Sequence, residues 1–165
     1  MSESTTAATG EHTTDGVPHG RTSLTPHLVV RGAQEAIAFY RDVLGARVHD
    51  VTRFGDAVAH AELELADGWF TLSDALDAYG LRAPAEGEHV TYSLAVYVPD
   101  VDAVAARAVE HGATLREGPQ TYVSGDRFAS VLDPFGVRWS VMTRVVDLSP
   151  EESARRVAEW AAAQG

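Results

Sequence analysis

An internal repeat constrains the fold of this chain more than any other feature of the sequence. The segment FYRDVLGARV over residues 39–48 and the segment AARAVEHGATL over residues 105–115 both describe a helix that ends at a Gly-Ala pair and a strand that follows it. The two glycines, Gly45 and Gly112, lie 67 positions apart. Self-similarity at a fixed spacing indicates that one supersecondary unit is made twice.

The first half of the chain shows a strand, a helix and three more strands, in that order. Alternating apolar residues predict a strand over 23–30, and helical spacing predicts a helix over 33–44 with Gly45 as its C-cap. Three strands follow, joined by predicted turns at residues 55–56 and 67–68. The order of elements is that of a βαβββ unit.

The second half repeats this order. A strand is predicted over 90–98, followed by a helix that Asp100 caps and Gly112 ends. Three further strands follow, and the sequence DPFG over 133–136 predicts a tight turn between the last two.

We therefore predict an α+β fold of two βαβββ modules, over 23–75 and 90–147, whose curved mixed sheets form a cleft. Residues 1–22 have no periodicity and almost no large apolar side chain, so they are predicted to be a disordered tail. The Gly- and Pro-rich residues 76–89 are predicted to be a linker between the modules or a loop over a site, and a C-terminal helix is predicted over 148–165.

The start of this C-terminal helix has a sequence signature. Ser149 is the predicted N-cap, Pro150 takes the first helical position, and Glu152 is placed to complete a capping box. Val157 and Trp160 lie three residues apart, so we expect them to share a face and to pack the helix onto the body.

Composition excludes several classes of partner. The chain has 24 acidic and 13 basic residues and a net charge of −11, which opposes binding to nucleic acid or to anionic lipid. Apolar runs are too short to span a membrane, the N-terminus lacks the pattern of a secretion signal, and there is no Cys. We expect a cytoplasmic protein that binds neither membranes nor nucleic acid.

Three segments carry a family resemblance: HLVVRGAQEAIAFYRDVLGA, YVPDVDAVAARAVEHGA and DPFGVRWSV. With them the chain resembles the vicinal oxygen chelate superfamily, which is also called the glyoxalase, bleomycin-resistance and extradiol dioxygenase superfamily. The resemblance covers about residues 24–147. It implies paired βαβββ modules, often in a homodimer. In metal-dependent members, it implies one divalent cation held by a His on the first strand and a Glu on the fourth strand of each module.

Alignment to that pattern places hydroxyl side chains at all four ligand positions. They are Thr25 and Thr71 in the first module and Ser93 and Ser140 in the second. Neutral hydroxyls are poor ligands for a divalent cation when no carboxylate or imidazole accompanies them. We therefore expect neither the family metal nor another cofactor.

Two kinds of chemistry remain open for the acidic and histidine side chains of the first module. His27, His60 and Glu62 lie on strand faces away from the helix, where they could form a displaced metal site, line a cleft, or pair with Arg31 or Arg53. Glu62, Glu64 and His60 could act in metal-free general acid–base catalysis, or they could be exposed strand side chains.

A set of aromatic and thioether side chains favours a binding site for a small molecule. Trp69, Tyr97 and Met142 are expected to face the cleft, with Tyr92 or Phe128 contributed from adjoining edges. The alternatives for these residues are a core between the modules or a dimer interface. The candidate ligand-binding residues are Thr25, His27, His60, Glu62, Trp69, Thr71, Ser93, Tyr97, Ser140 and Met142.

These observations predict a metal-free, small-molecule-binding protein of the glyoxalase and bleomycin-resistance type. Its ligand would be an aromatic or cationic drug-like compound that is sequestered without reaction, and its partner a second copy of the chain. One alternative is a metal-dependent lyase, isomerase or dioxygenase that uses the displaced His and Glu residues. Another is a structural dimer without a physiological ligand.

Overall fold

The computed structural model describes residues 5–87 and 89–165. The chain divides into two units, Met1–Arg82 and Ala83–Gly165. Each unit contains one βαβββ module, which confirms the predicted α+β class. In the described residues, no helix is both long and apolar enough to cross a membrane.

The first unit contains a short hairpin, a four-stranded mixed sheet and one α-helix. Its elements are β1 (Thr13–Thr14), β2 (Val17–Pro18), β3 (His27–Val30), α1 (Ala33–Phe39), β4 (Arg47–Phe54), β5 (Ala57–Leu65) and β6 (Gly68–Asp74). The sheet order is β3-β6-β5-β4, with β3 parallel to β6 and the other pairs antiparallel. The apolar side chains of one face, including Leu28, Leu63 and Leu72, are buried with α1.

The first helix is shorter than the 12-residue helix predicted over 33–44. The α-helix ends at Phe39 and continues as a π-helical turn over Tyr40–Leu44. The carbonyl oxygen of Tyr40 accepts hydrogen bonds from the backbone N–H groups of both Gly45 and Ala46. Tyr40 is fully buried, and its ring makes an edge contact with Phe70 at a centroid distance of 5.5 Å. The wider turn therefore ends the helix around a core aromatic, and Gly45 closes it at a φ of 76° as expected.

One hairpin turn lies a residue earlier than predicted. Leu65 pairs with Gly68, so residues 66–67 form the two-residue loop and Ala66 takes the positive φ of 56°. The predicted turn at 55–56 is confirmed, because Phe54 pairs with Ala57.

The predicted tail also differs from the structure. Residues 1–4 lie outside the described residues, but β1 and β2 pair as a hairpin, and the segment after them is bonded to the first module. The indole N–H of Trp69 donates to the carbonyl of Gly20 at 2.7 Å, and Arg21 donates to Glu62 at 2.7 Å. Order in this segment comes from polar and aromatic partners on the module, which its own composition does not reveal.

The second unit repeats the module and adds a C-terminal helix. Its elements are β7 (Ser93–Tyr97), α2 (Val101–Glu110), β8 (Thr114–Thr121), β9 (Asp126–Leu132), β10 (Arg138–Arg144) and α3 (Pro150–Gln164). The sheet order is β7-β10-β9-β8, and again the first strand of the module is parallel to the last. Asp100 caps α2 by accepting from the backbone N–H of Ala103 at 3.0 Å. Of the predicted linker, Glu88 lies outside the described residues.

Helix α3 starts as predicted but packs less closely than predicted. The Ser149 hydroxyl accepts from the backbone N–H of Glu152 at 3.1 Å, whereas the Glu152 carboxylate bonds to Arg155 and Arg156, so only one half of the predicted capping box is found. Val157 and Trp160 remain 41% and 50% exposed. The side of α3 that bears them is therefore an apolar surface and not part of the core.

Candidate functional site

Each module has one sheet face covered by its helix and an opposite face, which we call the open face. Along β10, Trp139 and Val141 are buried on the helix side. Arg138, Ser140 and Met142 alternate with them and therefore lie on the open face. The side chains of this face are the candidates for ligand binding.

In the second module, strand register aligns four open-face residues in one row across the sheet. Met142 pairs with Tyr97 on β7 and with Phe128 on β9, and Phe128 pairs with Gln120 on β8. Paired residues on one sheet face have adjacent side chains. The row therefore combines two aromatic rings and a thioether.

A cavity of about 620 Å³ lies beside this row, next to α3. We call it the apolar groove. Its wall includes the edge-to-face pair of Tyr122 and Phe128, whose ring centroids are 5.9 Å apart. The lining residues are Gln120, Thr121, Tyr122, Val123, Ser124, Asp126, Phe128, Met142, Val157 and Trp160. Aromatic and aliphatic walls with a few polar groups are typical of sites for small organic molecules.

A second cavity of about 400 Å³ lies on the same open face. We call it the polar pocket. Among its described lining residues, Arg138 carries the only guanidinium, and its Nε donates to the Ser130 hydroxyl at 2.8 Å. Burial, and then the charge of Asp133, raise the pKa of Tyr92, so its hydroxyl stays protonated. The lining residues are Val90, Thr91, Tyr92, Ser93, Glu117, Phe128, Ser130, Arg138 and Ser140.

The open face of the first module is polar and centred on two histidines. His27 hydrogen-bonds through Nδ1 to the Thr71 hydroxyl at 2.7 Å and through Nε2 to the Ser73 hydroxyl at 3.2 Å. Its ring is stacked on that of His60, with centroids 6.0 Å apart and planes 6° from parallel. Burial, and then the nearby His60, lower the pKa of His27.

The two glutamates of β5 are both held as anions. Glu62 accepts from Arg21, and this hydrogen bond lowers its pKa. Glu64 bonds to Arg47 at 2.6 Å and to His49 at 2.7 Å, and these partners lower its pKa in the same order. A general acid at neutral pH needs a raised pKa, so the environment of these carboxylates does not favour that role.

The proposed displaced metal site is not assembled in this geometry. Among residues 5–87 and 89–165, no group of three His, Cys, Asp or Glu side chains is placed to hold a metal ion. Both ring nitrogens of His27 are already hydrogen-bonded, to the Thr71 and Ser73 hydroxyls. Glu62 lies 3.9 Å from His60 but is already bonded to Arg21.

The four hydroxyl positions fall into two kinds when strand register is used. Thr71 and Ser140 are equivalent, because each lies on the last strand of its module beside the first strand. The register partner of Thr71 is His27, and that of Ser140 is Ala95. Thr25 instead precedes β3 and bonds to the Thr22 carbonyl. In the second module Ser93 pairs with Arg138, so Thr25 and Ser93 each lie two residues before the first-strand partner of the last-strand hydroxyl in their module.

The structure gathers the predicted residues into three groups. A cavity of about 530 Å³ in the first unit is lined by Thr25, His60, Glu62 and Thr71. His27 is hydrogen-bonded to one of these lining residues, Thr71. Trp69 is buried beneath Arg21. In the second unit, Ser93 and Ser140 line the polar pocket and Met142 lines the apolar groove.

Some residues of these sites were missed or read differently from the sequence. Tyr97 lies outside both cavities, and its hydroxyl donates to Asp126 at 3.3 Å. The sequence predicts Val157 and Trp160 as packing residues, and the structure places both in the wall of the apolar groove. Their spacing of three residues on α3 is the sequence feature that could have indicated such a wall. Arg138 stands inside the DPFGVRWSV motif, where only the neighbouring Ser140 was considered.

Comparison with known proteins agrees with the fold. Residues 12–141 match the model of the Glyoxalase/Bleomycin resistance protein/Dioxygenase superfamily. An uncharacterized protein of Mycobacterium bovis is 30% identical over 139 residues, which are 79% of this chain and 88% of that protein. The solved structure of an Arabidopsis thaliana gene product has a TM-score of 0.59 at 28% identity, covering 73% of this chain and 97% of that one.

Two further solved structures share the fold at lower identity. TioX from Micromonospora sp. ML1 has a TM-score of 0.60 at 22% identity, covering 74% of this chain and 98% of that one. The fosfomycin resistance protein FosX from Mesorhizobium loti has a TM-score of 0.58 at 17% identity, covering 83% and 97%. With two βαβββ modules and a family match over most of its length, this chain belongs to the glyoxalase, bleomycin-resistance and dioxygenase superfamily.

Proposed function

We propose that this protein binds a small aromatic molecule in the apolar groove of its second module, without a metal ion and without chemical change to the ligand. The observation that carries the proposal is the groove itself, with its volume of about 620 Å³ and walls built from Tyr122, Phe128, Met142 and Trp160. A cavity of this size falls within the range of sites that hold drug-sized ligands.

The exposure of the groove wall supports the proposal. Tyr122, Val157 and Trp160 keep 41%, 41% and 50% of their surface exposed. Leaving this much apolar area in water costs free energy at about 25 cal/mol per Å², so a ligand that covers it gains that energy on binding. The Trp and Tyr rings are rigid, and ordering them on a ligand therefore costs little entropy.

Sequestration is the biological role that fits binding without reaction. A protein that holds a toxic aromatic compound lowers its free concentration, and the superfamily includes proteins named for bleomycin and fosfomycin resistance. We extend the proposal to a cytoplasmic location and to a homodimer. Light scattering during size-exclusion chromatography would test the homodimer.

The test uses N-phenyl-1-naphthylamine, a neutral aromatic dye that fluoresces in apolar surroundings. We expect saturable binding with one dye per chain. Trp160→Ala and Val157→Ala are expected to weaken it about tenfold and about threefold, because each removes part of the wall. Val109→Ala on α2 is the matched control, since Val109 is a helical valine with 45% exposure outside the groove. Equal binding by all of these variants would contradict the proposal.

Metal analysis tests the second half of the proposal. We expect purified protein to contain no stoichiometric divalent metal and dye affinity to be the same before and after treatment with a chelator. Bound nickel, zinc, iron or manganese at one ion per chain, removed by chelator and lost in His27→Gln, would instead support the enzymatic alternative.

A further inference from the structure

We propose that the apolar groove and the polar pocket are two ends of one binding site, and that its ligand is an aromatic carboxylic acid whose carboxylate is bound by Arg138. The inference rests on the proposed function, because the groove must bind the aromatic part. It adds the chemical class of the ligand and the residue that selects it.

The two cavities are neighbours on the open face, because Phe128 lines both of them. Along β10, Met142 lies in the groove, and Ser140 and Arg138 lie in the pocket, at alternate positions of the open face. Alternate residues of a strand are about 7 Å apart, so the distance from Met142 to Arg138 is about 14 Å along the strand. A ligand with a short chain between its ring and its charged group spans this distance.

The guanidinium of Arg138 is positioned for an incoming anion. Its Nε donates to Ser130, which is 1% exposed, so one side of the group is fixed by a buried residue. Its Nη2 donates to Glu117 at 3.3 Å. Within the described part of the chain, its Nη1 donates to no other residue, so this nitrogen can donate to a ligand oxygen.

Two hydroxyls accompany the guanidinium. Ser93 is the register partner of Arg138 on β7, and Ser140 is two residues further along β10. Among the residues that the structure describes, neither hydroxyl has a hydrogen-bond partner. A cationic N–H donor beside two hydroxyl donors suits a carboxylate, because hydrogen bonds that involve charged groups are the strong ones.

Glu117 competes with the ligand for the guanidinium of Arg138. It is half exposed and bonds to Arg138 at a long distance, so a ligand carboxylate can take its place. At the other end of the site, the groove acid Asp126 is bonded to Arg144 at 2.8 Å and so is already neutralised. The pairing of Asp126 removes the reason for expecting a cationic ligand, even though the chain carries a net charge of −11.

The test compares 4-(2-naphthyl)butanoate with its primary amide by isothermal titration calorimetry. The two ligands share a ring and chain length and differ in charge. We expect the acid to bind about tenfold more tightly than the amide to the wild-type protein. Arg138→Gln is expected to abolish this preference, and Glu117→Gln to raise the affinity for the acid about threefold. Arg138→Gln is expected to lower the affinity for the amide by less than the affinity for the acid, because the amide carries no net charge.

The possible outcomes separate the inference from the proposed function. Equal affinities for acid and amide in the wild type would overturn the role of Arg138 and leave binding in the groove intact. Failure of both ligands to bind would overturn the role of Arg138 and also the proposed binding in the groove. The naphthylamine dye is the folding control, since retained dye binding shows that Arg138→Gln keeps the apolar groove, which Arg138 does not line. If that variant fails to fold, Glu117→Gln decides alone: tighter acid binding supports the inference, and no change overturns it.

Discussion

The guanidinium carbon of Arg21 lies 3.7 Å from the ring centroid of Trp69. The same guanidinium donates to Glu62, while the Trp69 backbone N–H donates to the Thr22 hydroxyl at 3.2 Å and the indole N–H to the Gly20 carbonyl. A cation stacked on an aromatic ring and bonded to a carboxylate holds the segment that follows the β1–β2 hairpin against the first module.

Arg21→Ala is expected to release this segment. Loss of the stacked cation and its ion pair should cost about 1 kcal/mol of local stability, because the group is partly exposed and screened by solvent. We expect faster amide hydrogen exchange over residues 13–22, measured by mass spectrometry, with the sheet unaffected. Arg31→Ala, which changes an exposed arginine of the same module, is the control. Unchanged exchange in Arg21→Ala would show that the segment is held by other contacts.

The order of this segment could not be predicted from the sequence, whereas the module could. Within a module, the periodicity of each strand and helix is a local property of the chain, and both copies carry it. The partners of Gly20, Arg21 and Thr22 are more than 40 residues away on β5 and β6. Local composition therefore predicts a tail, and only the folded sheet brings Trp69 and Glu62 to it.

The histidine pair of the first module predicts an acid-sensitive stability. The pKa of His27 is lowered by burial and then by His60, so the unfolded chain binds more protons than the folded one below the ordinary value of 6.5. Stability should therefore fall as the pH drops from 6.5 through the lowered pKa of His27 and should be constant with respect to this group above 6.5. We expect His27→Gln to reduce the fall in the urea midpoint between pH 7 and pH 5.

His12→Gln provides the comparison, because His12 is an exposed histidine in the N-terminal segment. Its urea midpoint should follow that of the wild type at each pH. An equally steep acid dependence in His27→Gln would mean that other groups, such as the paired carboxylates, dominate in this range.

Gly125 connects the apolar groove to the segment before α3. It has a φ of 91°, and a Cβ at this position would lie 3.0 Å from both the Val146 carbonyl oxygen and a methyl carbon of Leu148. Gly125→Ala should therefore cost about 2 kcal/mol through backbone strain and should displace the start of α3. We expect a lower thermal midpoint and about threefold weaker binding of the naphthylamine dye.

Gly118→Ala is the matched control for this prediction. Gly118 is a glycine of the same module without a positive φ. A Cβ added to it would lie 4.0 Å from its nearest neighbour, a methyl carbon of Leu115. Its dye affinity should equal that of the wild type. If Gly125→Ala also bound dye normally, the position of α3 would not determine the shape of the groove.

The groove was only partly predictable from the sequence, for a related reason. Alternation on β10 places Met142 on the open face, and this holds in the structure. The positions of Val157 and Trp160 depend instead on how the chain leaves β10, through the backbone bonds from Val145 and Val146 to Gly125. No periodic signal describes such an irregular connection. The helix could be predicted, but the cavity beside it could not.

The final prediction concerns Asp133, a carboxylate that is 4% exposed and organises the turn before β10. One oxygen accepts from the backbone N–H groups of Phe135 and Val137, both at 2.9 Å, and the other accepts from the indole N–H of Trp139 at 3.0 Å. Asp133→Ala removes the carboxylate that accepts from these three donors, so we expect a loss of about 3 kcal/mol in urea unfolding.

A double-mutant cycle with Trp139 identifies the cause of this loss. Asp133→Asn can keep one acceptor oxygen for the backbone, but its amide N–H groups then face the indole N–H of Trp139. Trp139→Phe should therefore cost less in the Asn background than in the wild type, with a coupling of about 1 kcal/mol. Additive losses would mean that Asp133 stabilises the turn through the backbone alone. Because this turn sets the start of β10, its loosening should also weaken the register that places Arg138 opposite Ser93.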